Sequence, residues 1–453
     1  MSAPKATENR PSNEYDVVGL GLGPSNLALM ATLEEESVEV HGRPLDCLCV
    51  ERKPSFIWHP GMLLEGAQIQ LSFLKDLVTL RNPRSRFTFL NYLHERGRLN
   101  QFANLRTFYP TRLEFNGYYS WVADQLRAHV RYSNEVTSVE AVPSEDGERI
   151  ERVKVVVRNL DNGETDEILT RNLVVATGGV PSIPAGIELG GARRIFHSHD
   201  FLPRVQEQFP DRNQPYRFVI VGSGQSAAEI FEYLFHNYPN ADITAALRRF
   251  AYQPADDSHF VNEIFFPEME DFLFQLPEEK RQLIIDAHRG TNYSAVDLDL
   301  IKSIYHLLYD SEVAGEKRAR IQPFLELKQV AEVGSEVKLD FVDIIREEPQ
   351  TLAADGAILA TGFDRPRRHP LIDRMSSHFH SDGAGGYRVD RSYRIETREE
   401  FIPQIFLQGF CEDTYGLSDT LLSTLPIRAM YIVRALLTEE NARRRMEERP
   451  VSA

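Results

Sequence analysis

Apolar residues in this chain gather into short unbroken runs, and most of these runs end in glycine or in charge. Tyr15-Asp16-Val17-Val18 leads into Gly19-Leu20-Gly21-Leu22-Gly23-Pro24-Ser25-Asn26, and an apolar-periodic stretch follows from Leu27 to Leu33. That order predicts a buried strand, a tight glycine turn and a helix. Phe218-Val219-Ile220-Val221-Gly222-Ser223-Gly224-Gln225-Ser226-Ala227 repeats it later in the chain. Each copy is followed by a second apolar run, Leu45 to Val50 closed by Glu51, and Asp242 to Leu247 closed by Arg248-Arg249. Two further runs, Leu173 to Gly179 and Ala357 to Phe363, carry Ala-Thr-Gly at their ends. Residues 277–309 read as helical, and the polar lead before Tyr15 reads as disordered.

The glycine spacing carries chemistry. Gly19 permits the tight turn, and Gly21 lets the backbone approach a pyrophosphate held at the helix N-terminus. Pro24 occupies the usual third glycine position, with Gly23 displaced by one. The second copy fits more cleanly, with Gly222, Gly224 and Ala227 at the expected places. Glu51 stands where a carboxylate accepts from the ribose hydroxyls of an unphosphorylated adenosine, as in FAD. An acid would repel a 2′-phosphate, whereas the Arg248-Arg249 guanidinium groups can fork onto one, so the second site suits NADPH.

These signals predict an α/β chain with two Rossmann-like dinucleotide-binding domains, for FAD and NADPH, and a smaller, mainly helical substrate-binding region. The expected bounds are 14–205 for the first part of the FAD domain and 206–255 for the first part of the NADPH domain. The helical region is expected at 256–324, the NADPH return at 325–349, and the second part of the FAD domain at 350–443. The Ala-Thr-Gly strands are expected to carry the chain between the two domains.

Composition narrows the rest. With 51 basic and 67 acidic residues the net charge is −16, and no basic run offers a nucleic-acid surface. No apolar stretch is long enough to span a bilayer and the N-terminus has no apolar export signal, so a cytoplasmic protein without membrane partners is expected. Cys47, Cys49 and Cys411 form neither a disulfide framework nor a zinc spacing; Cys47 and Cys49 alternate on a strand and should share a buried face. His197-Ser198-His199-Asp200 has no distant partners that would complete a metal site, and no metal is expected.

At this point the chain resembles the microbial amino-acid N-hydroxylases, specifically the ornithine N5-monooxygenases of hydroxamate siderophore pathways. The resemblance runs from Tyr15 to about Arg434. It is carried by Phe56-Ile57-Trp58-His59-Pro60-Gly61-Met62, by Gln70 to Val78, by Arg81-Asn82-Pro83, by Asp257 to Phe265, by Thr291-Asn292-Tyr293-Ser294 and by Gly416 to Ser423. It implies a reaction in which NADPH reduces FAD and the reduced flavin traps O2, passing one oxygen atom to the side-chain amine of L-ornithine. It implies that Gly19, Gly21, Gly23, Pro24 and Ser25, the segment Glu51 to His59 with Arg52 and Trp58, and Gln70 line the FAD. Val136 would touch the adenine, and Thr420, Leu421 and Leu422 would close near the isoalloxazine. Gly222, Ser223, Gly224, Gln225, Ser226 and Arg248, with Asn292, Tyr293 and Ser294, would hold NADPH. Lys75, Asn262 and Asn292 would grip the amino acid, with Glu263, Ile264, Phe265 and Ser423 beside it. A homotetramer is also implied. Tyr415, where the family commonly has histidine, and Cys411-Glu412-Asp413 depart from the pattern.

Residue chemistry agrees in kind. An α-carboxylate needs a cation, and Lys75 interrupts the otherwise apolar Leu71-Ser72-Phe73-Leu74. Asn262 and Asn292 can both donate and accept, which suits a zwitterionic head group. A disulfide reductase on this fold needs a Cys-x-x-Cys pair that the chain lacks. A Baeyer–Villiger enzyme would carry a Phe-Gly-His-Trp-Pro signature, also missing before the second glycine turn. A non-catalytic nucleotide binder has no reason to keep both glycine turns and Arg248. L-lysine, one methylene longer than ornithine, remains the alternative substrate, because one methylene discriminates by only ~1–3 kcal/mol.

Overall fold

The computed structural model describes residues 13–41 and 45–447, so nearly all of the polar lead lies outside the described residues. The strand Glu14–Leu20 runs between Cys47–Val50 and Thr165–Val175, parallel to both. Val130–Arg131 extends this sheet beyond Cys47–Val50, and Gln404–Leu407 pairs in parallel with the end of Thr165–Val175. The antiparallel strands Ile150–Asn159 and Asn134–Pro143 continue from the other part of Thr165–Val175. The helix Pro24–His41 packs beside the C-terminal helix Leu425–Glu447. The apolar runs are buried because strands of a parallel sheet are covered on both faces, which removes the need for polar alternation.

A second, all-parallel sheet repeats the scheme. Its order is Ala319–Gln322, Asp242–Ala246, Arg217–Val221, Gly356–Leu359 and Ile195–His197. The helix Gln225–Asn237 follows its glycine turn, and a three-stranded antiparallel sheet, Leu325–Val333, Glu336–Asp343 and Glu348–Ala354, lies next in the chain.

Three expected bounds shift. Ile195–His197 lies in the second sheet although it falls before 205, Ala319–Gln322 joins the same sheet although it was assigned to the helical region, and Gly356–Leu359 pairs with Arg217–Val221 although the change of domain was expected at 350. The first two strands are short, flanked by arginines and marked by no motif. Only their pairing reveals them.

The chain leaves the first sheet after Val175 and leaves the second after Leu359, each time through Ala-Thr-Gly. The two crossings pair with each other: Val180–Pro181 lies antiparallel to Phe363–Asp364, and the Ser182 N–H donates to the Gly362 carbonyl at 2.9 Å. Between the sheets, Arg112 at the start of the helix Arg112–Gln125 donates to both carboxylate oxygens of Glu229 at 2.8 Å and to the Met62 carbonyl at 2.7 Å. Gly61 lies so close to the His199 carbonyl that any Cβ would overlap it. The helical region consists of Pro267–Gln275, Glu278–His288 and Leu298–Val313, with a 3-10 turn Val261–Phe265 before the first helix and another, Arg289–Thr291, after the second.

Removing one partner of a buried ion pair strands the other charge. Arg112→Ala is therefore expected to lower the unfolding free energy by about 3 kcal/mol, read as an earlier midpoint in chemical denaturation. Arg112→Lys should recover little of it, because an ammonium cannot fork onto both Glu229 oxygens.

Candidate active site

The first glycine turn is held in shape by the acid expected to bind ribose. Glu51 is buried, and its Oε2 accepts the Leu22 N–H at 2.7 Å while Oε1 accepts the Lys53 N–H at 2.9 Å. Each oxygen keeps a lone pair for a further donor. Gly21 has φ +82°, and a Cβ there would sit 2.9 Å from the Ala176 carbonyl oxygen. Pro24 opens the helix Pro24–His41, a position where its missing N–H costs nothing; that is why the motif tolerates it. A Cβ at Gly23 would meet no protein atom within 4 Å, so the space over this helix N-terminus is open to a pyrophosphate. Asn26, not singled out from sequence, is buried beneath the turn; its Nδ2 donates to the Gly21 carbonyl at 2.7 Å and its Oδ1 accepts from Gln408 at 3.0 Å.

The second turn is tighter. At Gly222, φ is +144° and a Cβ would overlap the Ala360 carbonyl oxygen. The backbone of Ser294 lies across Gly224, with its Cα 3.6 Å from where a Cβ would be. Gln225 accepts the Asp297 N–H at 2.8 Å and donates to Glu229 at 2.9 Å, which ties the helical region to the turn. Ser223 and Ser226 are half-buried in the turn, and Arg248 and Arg249 are exposed at the end of Asp242–Ala246.

Ser294 thus lies at the second turn, and its neighbour Tyr293 reaches the C-terminal segment. The Tyr293 hydroxyl bonds Glu412 and stands 3.2 Å from Thr420 Oγ1. Burial first, then the Glu412 hydrogen bond, pushes the Tyr293 phenol up to about 12, and burial raises the Glu412 carboxyl. Leu421 and Leu422 follow, half-buried; next to them Ser423 is buried with its Oγ lacking a hydrogen-bond partner among the described residues.

Lys75 is half-buried, and its ammonium has neither an ion pair nor a hydrogen bond among the described residues. Burial lowers its pKa. Its neighbour Asp76 explains its placement. Asp76 turns inward, where its carboxylate accepts from the N–H groups of Val78, Thr79 and Phe89 and from the Thr79 hydroxyl, at 2.7–3.0 Å. Those bonds knit an irregular loop against the aromatic cluster of Phe87, Phe89, Phe115 and Tyr118. Asp76 looks like any loop acid in the sequence, and only its burial exposes the role.

The other expected residues are more scattered. Asn262 is half-buried in the 3-10 turn Val261–Phe265, its Nδ2 3.3 Å from the Asp257 carbonyl. In the same turn Ile264 is buried, Phe265 half-buried and Glu263 exposed. Asn292 has no side-chain hydrogen bond among the described residues. Trp58 packs edge-on against Tyr119 and His59. His59 adopts φ 47°, and burial, then the nearby His199, lowers it to about 3, so its imidazole is neutral. Arg52 and Gln70 are exposed, while Val136 packs against the core of the first sheet from an outer antiparallel strand. Cys47, Cys49 and Cys411 are buried, and no group of three or more His, Cys, Asp or Glu among the described residues could hold a metal ion. No helix among them is long and apolar enough to cross a membrane.

Both glycine turns approach neighbouring backbone too closely for a side chain, and the first leaves the space over its helix N-terminus open, which fits a chain built for two dinucleotides. Glu51 closes the first turn, and the strand paired beside the second turn leads into Arg248, the residue order of an FAD- and NADPH-dependent flavoprotein. The family model described as L-lysine 6-monooxygenase/L-ornithine 5-monooxygenase matches residues 13–365. Over 439 residues the chain is 39% identical to L-ornithine N(5)-monooxygenase of Burkholderia cepacia, covering 96% of each. Among solved structures, an ornithine hydroxylase from Pseudomonas aeruginosa matches with TM-score 0.87 and 37% identity, over 94% of this chain and 100% of that one. The Kutzneria sp. 744 ornithine N-hydroxylase, in a complex named for reduced FAD, NADP+ and L-ornithine, matches with TM-score 0.88, 37% identity and the same coverage. This chain belongs to the L-lysine 6-monooxygenase/L-ornithine 5-monooxygenase family and is a flavin- and NADPH-dependent monooxygenase.

Gly222→Ala is expected to abolish reduction of the flavin by NADPH while the purified protein keeps its bound FAD, because the overlap with Ala360 lies at the second turn only. Absorbance of the flavin before and after anaerobic addition of NADPH reads both.

Proposed function

We propose that the protein converts L-ornithine, NADPH, O2 and a proton to N5-hydroxy-L-ornithine, NADP+ and water, supplying hydroxamate siderophores or related natural products. The observation that carries this reading is the Lys75 ammonium, half-buried, without a counter-ion among the described residues, and next to the inward-turned Asp76. A cation so disposed suits the α-carboxylate of an amino acid. The names of the Burkholderia cepacia and Kutzneria relatives support ornithine over lysine.

Bound FAD would supply hydride acceptance from NADPH and activation of O2 for transfer of one oxygen atom to the amine. The chain's residues orient the reactants and exclude water; none needs to act as a nucleophile, and the three buried cysteines have thiols that burial pushes well above their usual range. In this reading Glu51 binds the FAD ribose and Arg248 the 2′-phosphate of NADPH. Asn262 and Asn292 hold the amino-acid head group, and Ser423, whose hydroxyl has no partner among the described residues, lies near the substrate. Tyr293 and Ser294 cover the nicotinamide cofactor. The reading includes the domain roles, with FAD on the first sheet and NADPH on the second. A cytoplasmic location and a homotetramer are part of the proposal, the homotetramer resting on the family resemblance.

Lys75→Ala is expected to raise the KM for L-ornithine roughly 10- to 100-fold, the worth of one charge-assisted contact, while NADPH still reduces the flavin at the wild-type rate. Product analysis with L-ornithine and L-lysine in parallel tests the substrate. Hydroxylamine from lysine alone would overturn ornithine, and NADPH consumption alone would not count, since uncoupled flavin releases peroxide.

Two protonations oppose each other with pH. An alkylamine like that of lysine has a pKa near ~10.4, and only its neutral form attacks, so the oxygenation step should accelerate as pH rises through neutrality. Lys75 must stay protonated to hold the carboxylate, and its lowered pKa means that this grip fails earlier than for an exposed lysine. The expected outcome is a stopped-flow oxygenation rate that increases with pH while the KM for ornithine also increases. A flat oxygenation rate would count against the neutral-amine mechanism.

A further inference from the structure

The helix Pro267–Gln275 follows directly on the turn that carries Asn262, and its side chains dock on the segment that leads to Ser423. Glu270, fully buried on this helix, accepts from the Tyr393 hydroxyl at 2.6 Å and from Ser418 Oγ at 2.8 Å. Behind it, the buried Arg428 donates to the Asp419 carbonyl at 2.7 Å and to Thr424 Oγ1 at 3.2 Å. Asp419 in turn accepts the Cys411 N–H at 2.7 Å. Around this centre, Phe274 stacks on Tyr415, Tyr415 stacks on Tyr393 with ring centroids 4.0 Å apart, and Asp271 pairs with Arg391. Gly416, at φ +83°, lets the Leu273 side chain in where a Cβ would overlap it.

We propose that Glu270 is a positioning residue for hydroxylation. By bonding Ser418 and Tyr393 it holds the Asn262 turn at a set distance from Thr420 and Ser423, so that the amino acid is presented in register with the flavin. A carboxyl group is suited to this because it accepts two hydroxyl donors on different segments at once. Tyr415, the departure from the family's histidine, belongs to the same clamp: its ring fills the space between Phe274 and Tyr393.

The inference rests on the assignment of Asn262 and Ser423 to the substrate, and its test separates the two. In the FAD-loaded enzyme, the Kd of L-ornithine is measured by calorimetry and hydroxylated product per NADPH by product analysis. FAD content, melting temperature and the rate of flavin reduction by NADPH are measured alongside. Glu270→Ala is expected to weaken ornithine binding roughly tenfold and to divert NADPH oxidation to peroxide, with flavin reduction unchanged. Glu270→Gln, which keeps one acceptor oxygen, should be milder. Ser418→Ala and Tyr393→Phe each delete one hydroxyl with Glu270 in place, and should show the same signature even where Glu270→Ala fails to fold. Lower melting temperatures with unchanged Kd and coupling in these variants would overturn the inference, leaving Glu270 a structural residue. Asn262→Ala is the control: if it leaves the ornithine Kd unchanged, the substrate assignment fails and the inference falls with it. If it weakens binding and the Glu270, Ser418 and Tyr393 variants do not, the inference alone fails.

Discussion

Arg112 starts a helix in the first part of the chain and ends its side chain on Glu229, in the helix that follows the second glycine turn. Glu229 also receives Gln225, and Gln225 receives the backbone of Asp297, so one polar chain runs from the first sheet's surroundings to the region covering the second turn. A buried pair of this kind adds little stability over an apolar contact, but it is intolerant of displacement, because any shift leaves an uncompensated charge in low dielectric. A hydride can pass from one nucleotide to the other only if their sites face each other closely. The guanidinium fork, together with the paired crossings at Val180–Pro181 and Phe363–Asp364, ties the surroundings of the two sheets together.

Much of the candidate site stands on irregular backbone, which has no ladder of hydrogen bonds to define it. Buried polar side chains substitute for the ladder. Asp76 gathers three amides into the loop that bears Lys75, Asn26 takes the carbonyl of Gly21, and Glu270 collects two hydroxyls from the C-terminal segment. In each case desolvation would make the group costly if it were unsatisfied, so the loop is stable only in the conformation that satisfies it. Rigidity at such points matters for an oxygen transfer in which the protein contributes orientation and dryness.

The departures from the expected pattern have local physical reasons. Pro24 replaces a glycine at the first helical position, where proline is favoured. Tyr415, where the family resemblance implies a histidine, sits inside an aromatic stack beneath Arg391, where a large ring is packed on both faces. The bounds at 205, 324 and 350 were misplaced because Ile195–His197, Ala319–Gln322 and Gly356–Leu359 are recruited by pairing with strands far away in the chain, and no local pattern encodes a partner.

Two glycine turns, the acid after one and the arginines after the other were legible because they are constraints on single residues: φ, the absence of a Cβ, and the sign of a charge are properties that a residue type carries with it. From these alone follow two nucleotide folds and the preference for FAD and NADPH. The amine-hydroxylating chemistry came from family resemblance, since no spacing rule separates it from other uses of the same fold. Which of the 67 acids are buried was not legible at all. Glu229, Asp76 and Glu270 are indistinguishable from surface acids until the chain is folded around them, because burial and hydrogen-bond satisfaction belong to the assembled neighbourhood and not to the residue.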